Sequence, residues 1–274
     1  MIRRLKRYLK KYQIRYYVNC YFMIIIKNEK EIGAMRRGGK ILAEIMREIG
    51  KMVVPGKNTL ELDKLAEKLV FDNGGKPAFK GFGGKNNPYP ATLCVSFNDE
   101  IVHGIPNEKR IIKKGDIIKI DMGMEYEGMI TDMARTFEVG SVSFVAHKLV
   151  KTTKEALDEG IKKIKDNARL NEYSQTVESY VRSCGFSAVR DLVGHGVGKK
   201  LHEDPQIPNY VWGGKDIILK EGMTLALEPM INEGTFSIKL LPNRWTYAAE
   251  DGKLSAHFED TVLVRKNGCE ILTR

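Results

Sequence analysis

The stretch from Ile117 to Phe137, Ile-Ile-Lys-Ile-Asp-Met-Gly-Met-Glu-Tyr-Glu-Gly-Met-Ile-Thr-Asp-Met-Ala-Arg-Thr-Phe, constrains the fold most, because it sets two acids inside runs that otherwise read as buried strand. Long apolar and β-branched residues flank a short polar tip, Glu125 to Gly128, which is the pattern of a β-hairpin. Closed symmetrically about that tip, the hairpin is expected to bring Asp121 directly opposite Asp132 on one face. Side chains in that relation stand roughly 4.5–5.5 Å apart at Cβ, where like charges repel. A cation between the two carboxylates removes the conflict, and hard oxygen donors so placed suit divalent metal ions.

With 274 residues, 42% of them hydrophobic, the chain can bury one large core or two modest ones. Cys20, Cys94, Cys184 and Cys269 are scattered without a C-x-x-C pair, as expected of reduced thiols in a cytoplasmic protein. Net charge is +10, but residues 1–22 hold seven Lys/Arg and no acid, so 38 basic against 35 acidic residues remain, a net +3. The basic character therefore belongs to the first 22 residues and excludes a generally nucleic-acid-coated surface; no DNA partner is expected. No apolar run approaches the roughly 20 residues that span a bilayer, and Tyr16 to Ile26 lacks a small-residue cleavage pattern, so neither membrane insertion nor secretion is expected. Residues 1–22 are expected to lie outside the packed fold, either as a basic arm or as the product of a start upstream of Met23. Residues 23–274 are expected to form a single catalytic domain.

Within that domain the order helix, helix, strands occurs twice. Apolar residues at helical spacing predict helices over about 29–49 (Ile32, Met35, Leu42, Ile45, Met46, Ile49), from Asn58 or Thr59 onward, over about 144–164, and over about 173–184. Residues 74–90, rich in Gly, Asn and Pro, read as loop. Strand character is expected over 91–97, 187–191, 223–231, 254–265 and 270–273 in addition to the hairpin. Two similar blocks sharing one sheet place the meeting of the halves as the expected metal site.

A second cluster of chemistry follows in Gly194-His195-Gly196-Val197-Gly198-Lys199-Lys200-Leu201-His202-Glu203, where the glycines on either side of His195 let backbone and ring approach a ligand closely and His202, seven residues on, can face the same cleft across a loop. Its spacing matches no phosphate-binding fingerprint. Glu228 stands in Leu-Ala-Leu-Glu-Pro-Met and Glu259 in Phe-Glu-Asp-Thr-Val-Leu-Val, again acids in apolar strand context. An unpaired buried carboxylate costs several kcal/mol. Asp121, Asp132, Glu228 and Glu259 together with His195 are therefore expected to form one dinuclear metal site in which the cations neutralise the acids.

On the motifs Asn98-Asp99-Glu100-Ile101-Val102-His103-Gly104-Ile105-Pro106, Lys119-Ile120-Asp121, Thr131-Asp132, Gly194-His195-Gly196, Leu201-His202-Glu203, Glu228-Pro229-Met230 and Phe258-Glu259, the chain resembles the type I methionine aminopeptidases of the short bacterial form. The resemblance spans residues 23–274. It implies an α+β pita-bread fold, with two pseudo-symmetric helix-helix-strand halves around a curved, mostly antiparallel sheet. It further implies that Asp121 holds one metal, His195 and Glu228 the other, and that Asp132 and Glu259 bridge them. His103 and His202 are then expected to line the substrate site as catalytic residues, with Glu228 also moving a proton to the leaving amine, while Tyr89, Cys94 and Trp245 form the methionine side-chain pocket. Asn86 and Leu201 depart from the tyrosine and the aromatic residue usual in such relatives, so a pocket of altered shape is expected. The implied cofactors are two divalent ions, Co, Mn, Fe or Zn, which generate a hydroxide for removal of the N-terminal methionine ahead of a small second residue. Nascent polypeptide N-termini are the implied partners, with ribosome association left open and a monomer expected. A proline dipeptidase of the same fold is the nearest rival, but such enzymes carry a further N-terminal domain of over a hundred residues. A catalytically dead binding protein of this fold is a second alternative, and it is expected to lack ligands that are all present here.

Overall fold

The computed structural model describes residues 24–214 and 216–274, so the basic segment 1–22 lies outside the described residues. Helix α1 (Glu29–Lys51) starts where Asn28 accepts from the Glu31 amide at 3.1 Å and the Glu31 carboxylate accepts from the Asn28 amide at 2.9 Å. Asn58 and Glu61 repeat this capping box at α2 (Thr59–Asp72). Each box satisfies two of the amides that a helix start leaves unpaired. The second half opens with α3 (Phe144–Ile161), capped by Ser143, and α4 (Leu170–Ser183).

In chain order the strands of the first half are β1 (Lys76–Pro77), β2 (Cys94–Phe97), β3 (Glu100–Val102), β4 (Ile117–Tyr126) and β5 (Met129–Glu138). The second half adds β6 (Ser187–Ala188), β7 (Gly194–Gly196), β8 (Glu203–Ile207), β9 (Thr224–Leu227), β10 (Met230–Asn232), β11 (Ile238–Leu240), β12 (Tyr247–Ala249), β13 (Ser255–His257), β14 (Glu259–Arg265) and β15 (Gly268–Ile271). One antiparallel sheet runs β1-β4-β5-β14-β9-β7-β8, with β2 also on β4 and β15 also on β14. Two small sheets, β13-β10-β6 and β11-β12-β3, stand beside it.

Alternation along the strands decides what each face carries. Ile118, Ile120, Met122 and Met124 of β4 pack with Leu42, Ile45, Ile49 and Leu62 of α1 and α2. Leu225 and Leu227 of β9 and Val262 and Val264 of β14 pack with Leu149, Leu157, Tyr173 and Val177 of α3 and α4. Each helix pair thus covers its half of one sheet face, and residues one step out of phase, Asp121 and Glu259 among them, point the other way. The seam between halves is the β5–β14 pair, where Glu259 stands opposite Ala134 and Asp260 opposite Met133.

Three expectations need correction. The hairpin turns on two residues, Glu127 (φ 50°) and Gly128 (φ 76°), both left-handed, because that turn matches strand twist better than a four-residue tip. Asp121 therefore pairs with Ala134 and Asp132 with Gly123, so the acids are diagonal rather than directly opposed. The displacement is two residues, which preserves the face as a slip of one would not. In the same sheet Gly194-His195-Gly196 forms strand β7. A Cβ at Gly194 would fall 2.5 Å from the Ala226 carbonyl and one at Gly196 2.3 Å from the Asp204 carbonyl, so the glycines admit neighbouring backbone. The continuous strands expected over 223–231 and 254–265 are each broken, at Glu228-Pro229 and at Phe258, and change sheets there. Finally, residues 76–77 inside the expected loop add β1 to the tip of β4.

Candidate metal centre

Strand register brings the acids together. Asp121, Ala134 and Glu259 form one row across β4, β5 and β14. Two residues along, Asp132 lies beside Thr261, whose Oγ1 accepts from the Asp132 amide at 2.9 Å and donates to the Asp132 carbonyl at 2.8 Å. Thr261 pairs with Ala226, and Ala226 with His195. Ala134 and Ala226 are small, so the longer acids and the imidazole beside them converge above the sheet. Glu228 joins from the break after β9, where Pro229 lacks the amide that would continue the ladder.

Asp132, His195 and Glu259 each offer a donor atom within 4.8 Å of the others, as do Glu228, His257 and Glu259. Asp121 belongs to neither trio but lies within hydrogen-bonding reach of Asp132. Asp121 Oδ1, Asp132 Oδ1 and Glu259 Oε1 are buried without a hydrogen-bond partner. Among the described residues no Lys or Arg pairs with any of the four acids; the basic groups paired with Glu228 are imidazoles, His195 Nε2 at 3.6 Å and His257 Nε2 at 3.4 Å. Burial raises all four carboxyls, Asp132 to about 7 and the others well above their ordinary values, with Asp132 adding to the rise of Asp121, Glu228 and Glu259. Burial lowers His195 to about 3, so its imidazole is neutral. Its Nδ1 lies 2.9 Å from the Gly196 carbonyl, the tautomer in which Nδ1 donates and Nε2 keeps a free lone pair. Orphaned oxygens and one free imidazole nitrogen, all converging, fit a divalent cation of the Mn, Fe, Co or Zn type.

Against this cluster lies a cavity of about 80 Å³, lined on its apolar side by Phe79, Phe82, Tyr89, Cys94, Leu201 and Trp245. That is far below the roughly 300–1,000 Å³ of drug-sized ligand sites and is on the scale of one side chain. Tyr89, Cys94 and Trp245 all line this cavity; the Tyr89 hydroxyl is 2.9 Å from the carbonyls of Leu93 and Gly104, and the Tyr89 and Trp245 rings meet edge to face at 5.1 Å. Burial keeps the Cys94 thiol protonated. Leu201 is buried with Phe79, Tyr89 and Cys94. His103, held at φ 59°, and His202, whose ring lies 4.4 Å from His195 and 5.0 Å from Phe82, border both this cavity and a wider cleft of about 620 Å³. The lining of the wider cleft includes the polar residues Asp191, Lys200, Glu203, Asp204 and Gln206.

Sequence reasoning missed His257, Phe79 and Phe82. His257 carried a signal, standing two residues before Glu259 in an apolar context, but the strand break at Phe258 that turns it toward Glu228 is not visible in the sequence.

A buried carboxylate–histidine cluster at the seam of two like halves defines a metal-dependent hydrolase, and the chain belongs to metallopeptidase family M24, whose model matches residues 33–266. A methionine aminopeptidase from Clostridium acetobutylicum is 46% identical over 251 residues, covering 92% of this chain and 99% of that protein. A crystal structure of methionine aminopeptidase from Thermotoga maritima aligns with a TM-score of 0.88 at 44% identity, covering 92% of this chain and all of that one. A prolidase from Pyrococcus furiosus shares the fold at 26% identity and a TM-score of 0.72, but this chain covers only 66% of it. Within M24 the chain thus stands with the methionine aminopeptidases, and its architecture is the pita-bread fold.

Proposed function

We propose that this chain removes the N-terminal methionine from nascent proteins and peptides, preferring a small second residue, with two divalent ions held by Asp121, Asp132, His195, Glu228 and Glu259. The observation that carries this reading is the juxtaposition of five converging donors with an apolar cavity sized for one side chain. Divalent ions bound there would supply hydroxide near neutral pH and a Lewis acid for the scissile carbonyl.

The chain's own residues do the rest. Phe79, Phe82, Tyr89, Cys94, Leu201 and Trp245 enclose the methionine side chain and exclude water from it. His202, exposed toward the cleft, donates a hydrogen bond to the carbonyl oxygen as charge develops on it. His103 faces the same scissile amide from the opposite half. Glu228, whose carboxyl is raised by burial, passes a proton to the leaving amine. The polar cleft receives the remainder of the polypeptide. On this reading the enzyme is a cytoplasmic monomer acting on nascent N-termini; among the described residues no helix is long and apolar enough to cross a membrane.

Metal analysis of protein purified without added metal, together with methionine release from Met-Gly and Met-Ala peptides against cleavage of Xaa-Pro dipeptides, tests this function. Two equivalents of metal and release of methionine alone are expected; preferential Xaa-Pro cleavage would replace the reading with that of a proline dipeptidase.

A further inference from the structure

The two strand breaks at the edge of the metal centre meet. After β9 the chain passes Glu228-Pro229 and enters β10; after β13 it passes Phe258 and enters β14. β9 pairs with β14 in the large sheet and β10 with β13 in the small one, so Glu228 and His257 face each other where both strands change sheets. Each backbone is anchored. Thr136 Oγ1 accepts from the His257 amide at 3.0 Å and donates to its carbonyl at 2.7 Å, and Asn209 Nδ2 donates to the Glu228 carbonyl at 2.9 Å.

The Glu228 carboxylate consequently lies between two imidazoles, with His195 Nε2 3.6 Å from Oε1 and His257 Nε2 3.4 Å from Oε2. The two rings are not equivalent. His195 commits its Nδ1 proton to the Gly196 carbonyl, so its Nε2 presents a lone pair toward the same space as Oε1. His257 is 1% exposed and neither of its ring nitrogens has a hydrogen-bond partner. It is therefore free to carry its proton on Nε2, and closing by a few tenths of an ångström brings the pair into ordinary hydrogen-bond range.

We propose that His257 is the positioning residue of Glu228. Its Nε2–H donates to Oε2, which leaves Oε1 turned toward His195 and fixes the carboxylate in the orientation a cation needs. This rests on the metal-site reading above and adds to the five donors a sixth group that orients one of them. Such outer partners typically change metal affinity by about 10–100-fold when lost.

The test compares the full chain with His257→Leu, which removes the donor, and His257→Gln, whose amide N–H restores one. Each protein is stripped of metal and titrated with Mn²⁺ by calorimetry, and its thermal unfolding is followed without metal. His257→Leu is expected to raise the Mn²⁺ Kd about 10–100-fold at unchanged stoichiometry, with metal-free unfolding at or above the parent temperature. Recovery to within a few-fold of the parent is expected for His257→Gln. Parent-like Kd in His257→Leu, or Gln as weak as Leu, would overturn the proposal. Loss of a whole equivalent of Mn²⁺ in both variants would overturn it in favour of His257 as a direct ligand. Lowered metal-free stability with unchanged Kd would leave His257 a structural role only. Failure of the parent itself to bind Mn²⁺ would instead strike the metal-site reading, and this inference with it.

Discussion

Glu259 of β14 stands directly opposite Ala134 of β5, and Ala134 directly opposite Asp121 of β4. An acid from each half is thereby set on either side of a methyl group at the seam. At this row the central strand contributes only the Ala134 methyl, which leaves the space between Asp121 and Glu259 open to the donors, and Asp132 enters it from the same strand two residues earlier.

His202→Ala is expected to lower kcat by about 10²-fold or more while leaving metal content unchanged, because the ring borders the substrate cavity and belongs to neither donor trio. Steady-state kinetics with metal analysis checks it. Stoichiometric loss of metal would make His202 a ligand.

Metal affinity is expected to rise with pH. The four carboxyls are raised, Asp132 to about 7, so below that pH a binding cation must displace protons, whereas His195, lowered to about 3, has none to give up. Affinity therefore falls as pH drops through 7 and levels off above the highest carboxyl value. Calorimetry at pH 6, 7 and 8 in buffers of different ionisation enthalpy measures both the trend and the protons released; a flat profile would contradict it.

Hydrolysis is expected to require a small second residue. His103, His195, His202 and Glu228 line both the inner cavity and the outer cleft, so the second side chain must pass a neck walled by those groups. Comparison of Met-Gly and Met-Ala with Met-Leu and Met-Lys peptides decides this, and efficient cleavage of the latter pair would refute it.

Glu203→Ala is expected to destabilise the fold by about 3–5 kcal/mol, because Lys27 would lose its partner. Their side chains are 1% and 2% exposed and 2.5 Å apart, joining the segment before α1 to the strand after His202. Urea unfolding of metal-free protein measures the loss. A change below about 1 kcal/mol would show that Lys27 finds water or another partner.

Deleting residues 1–22 is expected to leave peptide hydrolysis unchanged. Seven positive charges without an acid favour an anionic surface such as ribosomal RNA, and any such contact should weaken steeply with salt. Unchanged hydrolysis with lost ribosome co-sedimentation supports a basic arm, and no change in either supports a segment that neither process uses. Loss of folding would contradict both.

The sequence alone singled out the residues of the candidate metal centre. Four acids in apolar strand context and a glycine-flanked histidine are hard to place apart, because isolated burial of each is unfavourable, and the two helix-helix-strand blocks were legible from periodicity and the cap at Asn58 or Thr59. Tertiary structure alone decided how these groups meet. The hairpin register depends on the twist preference of a two-residue turn at Glu127-Gly128, which shifts Asp121 from opposite Asp132 to opposite Ala134. His195 sits on a strand because neighbouring backbone, invisible in the local sequence, packs against its flanking glycines. The role of His257 arises from two chain breaks about 30 residues apart coming to one point. Local sequence encodes which residues can be buried as strand; which of them face one another is set by long-range pairing, and only the folded sheet specifies that.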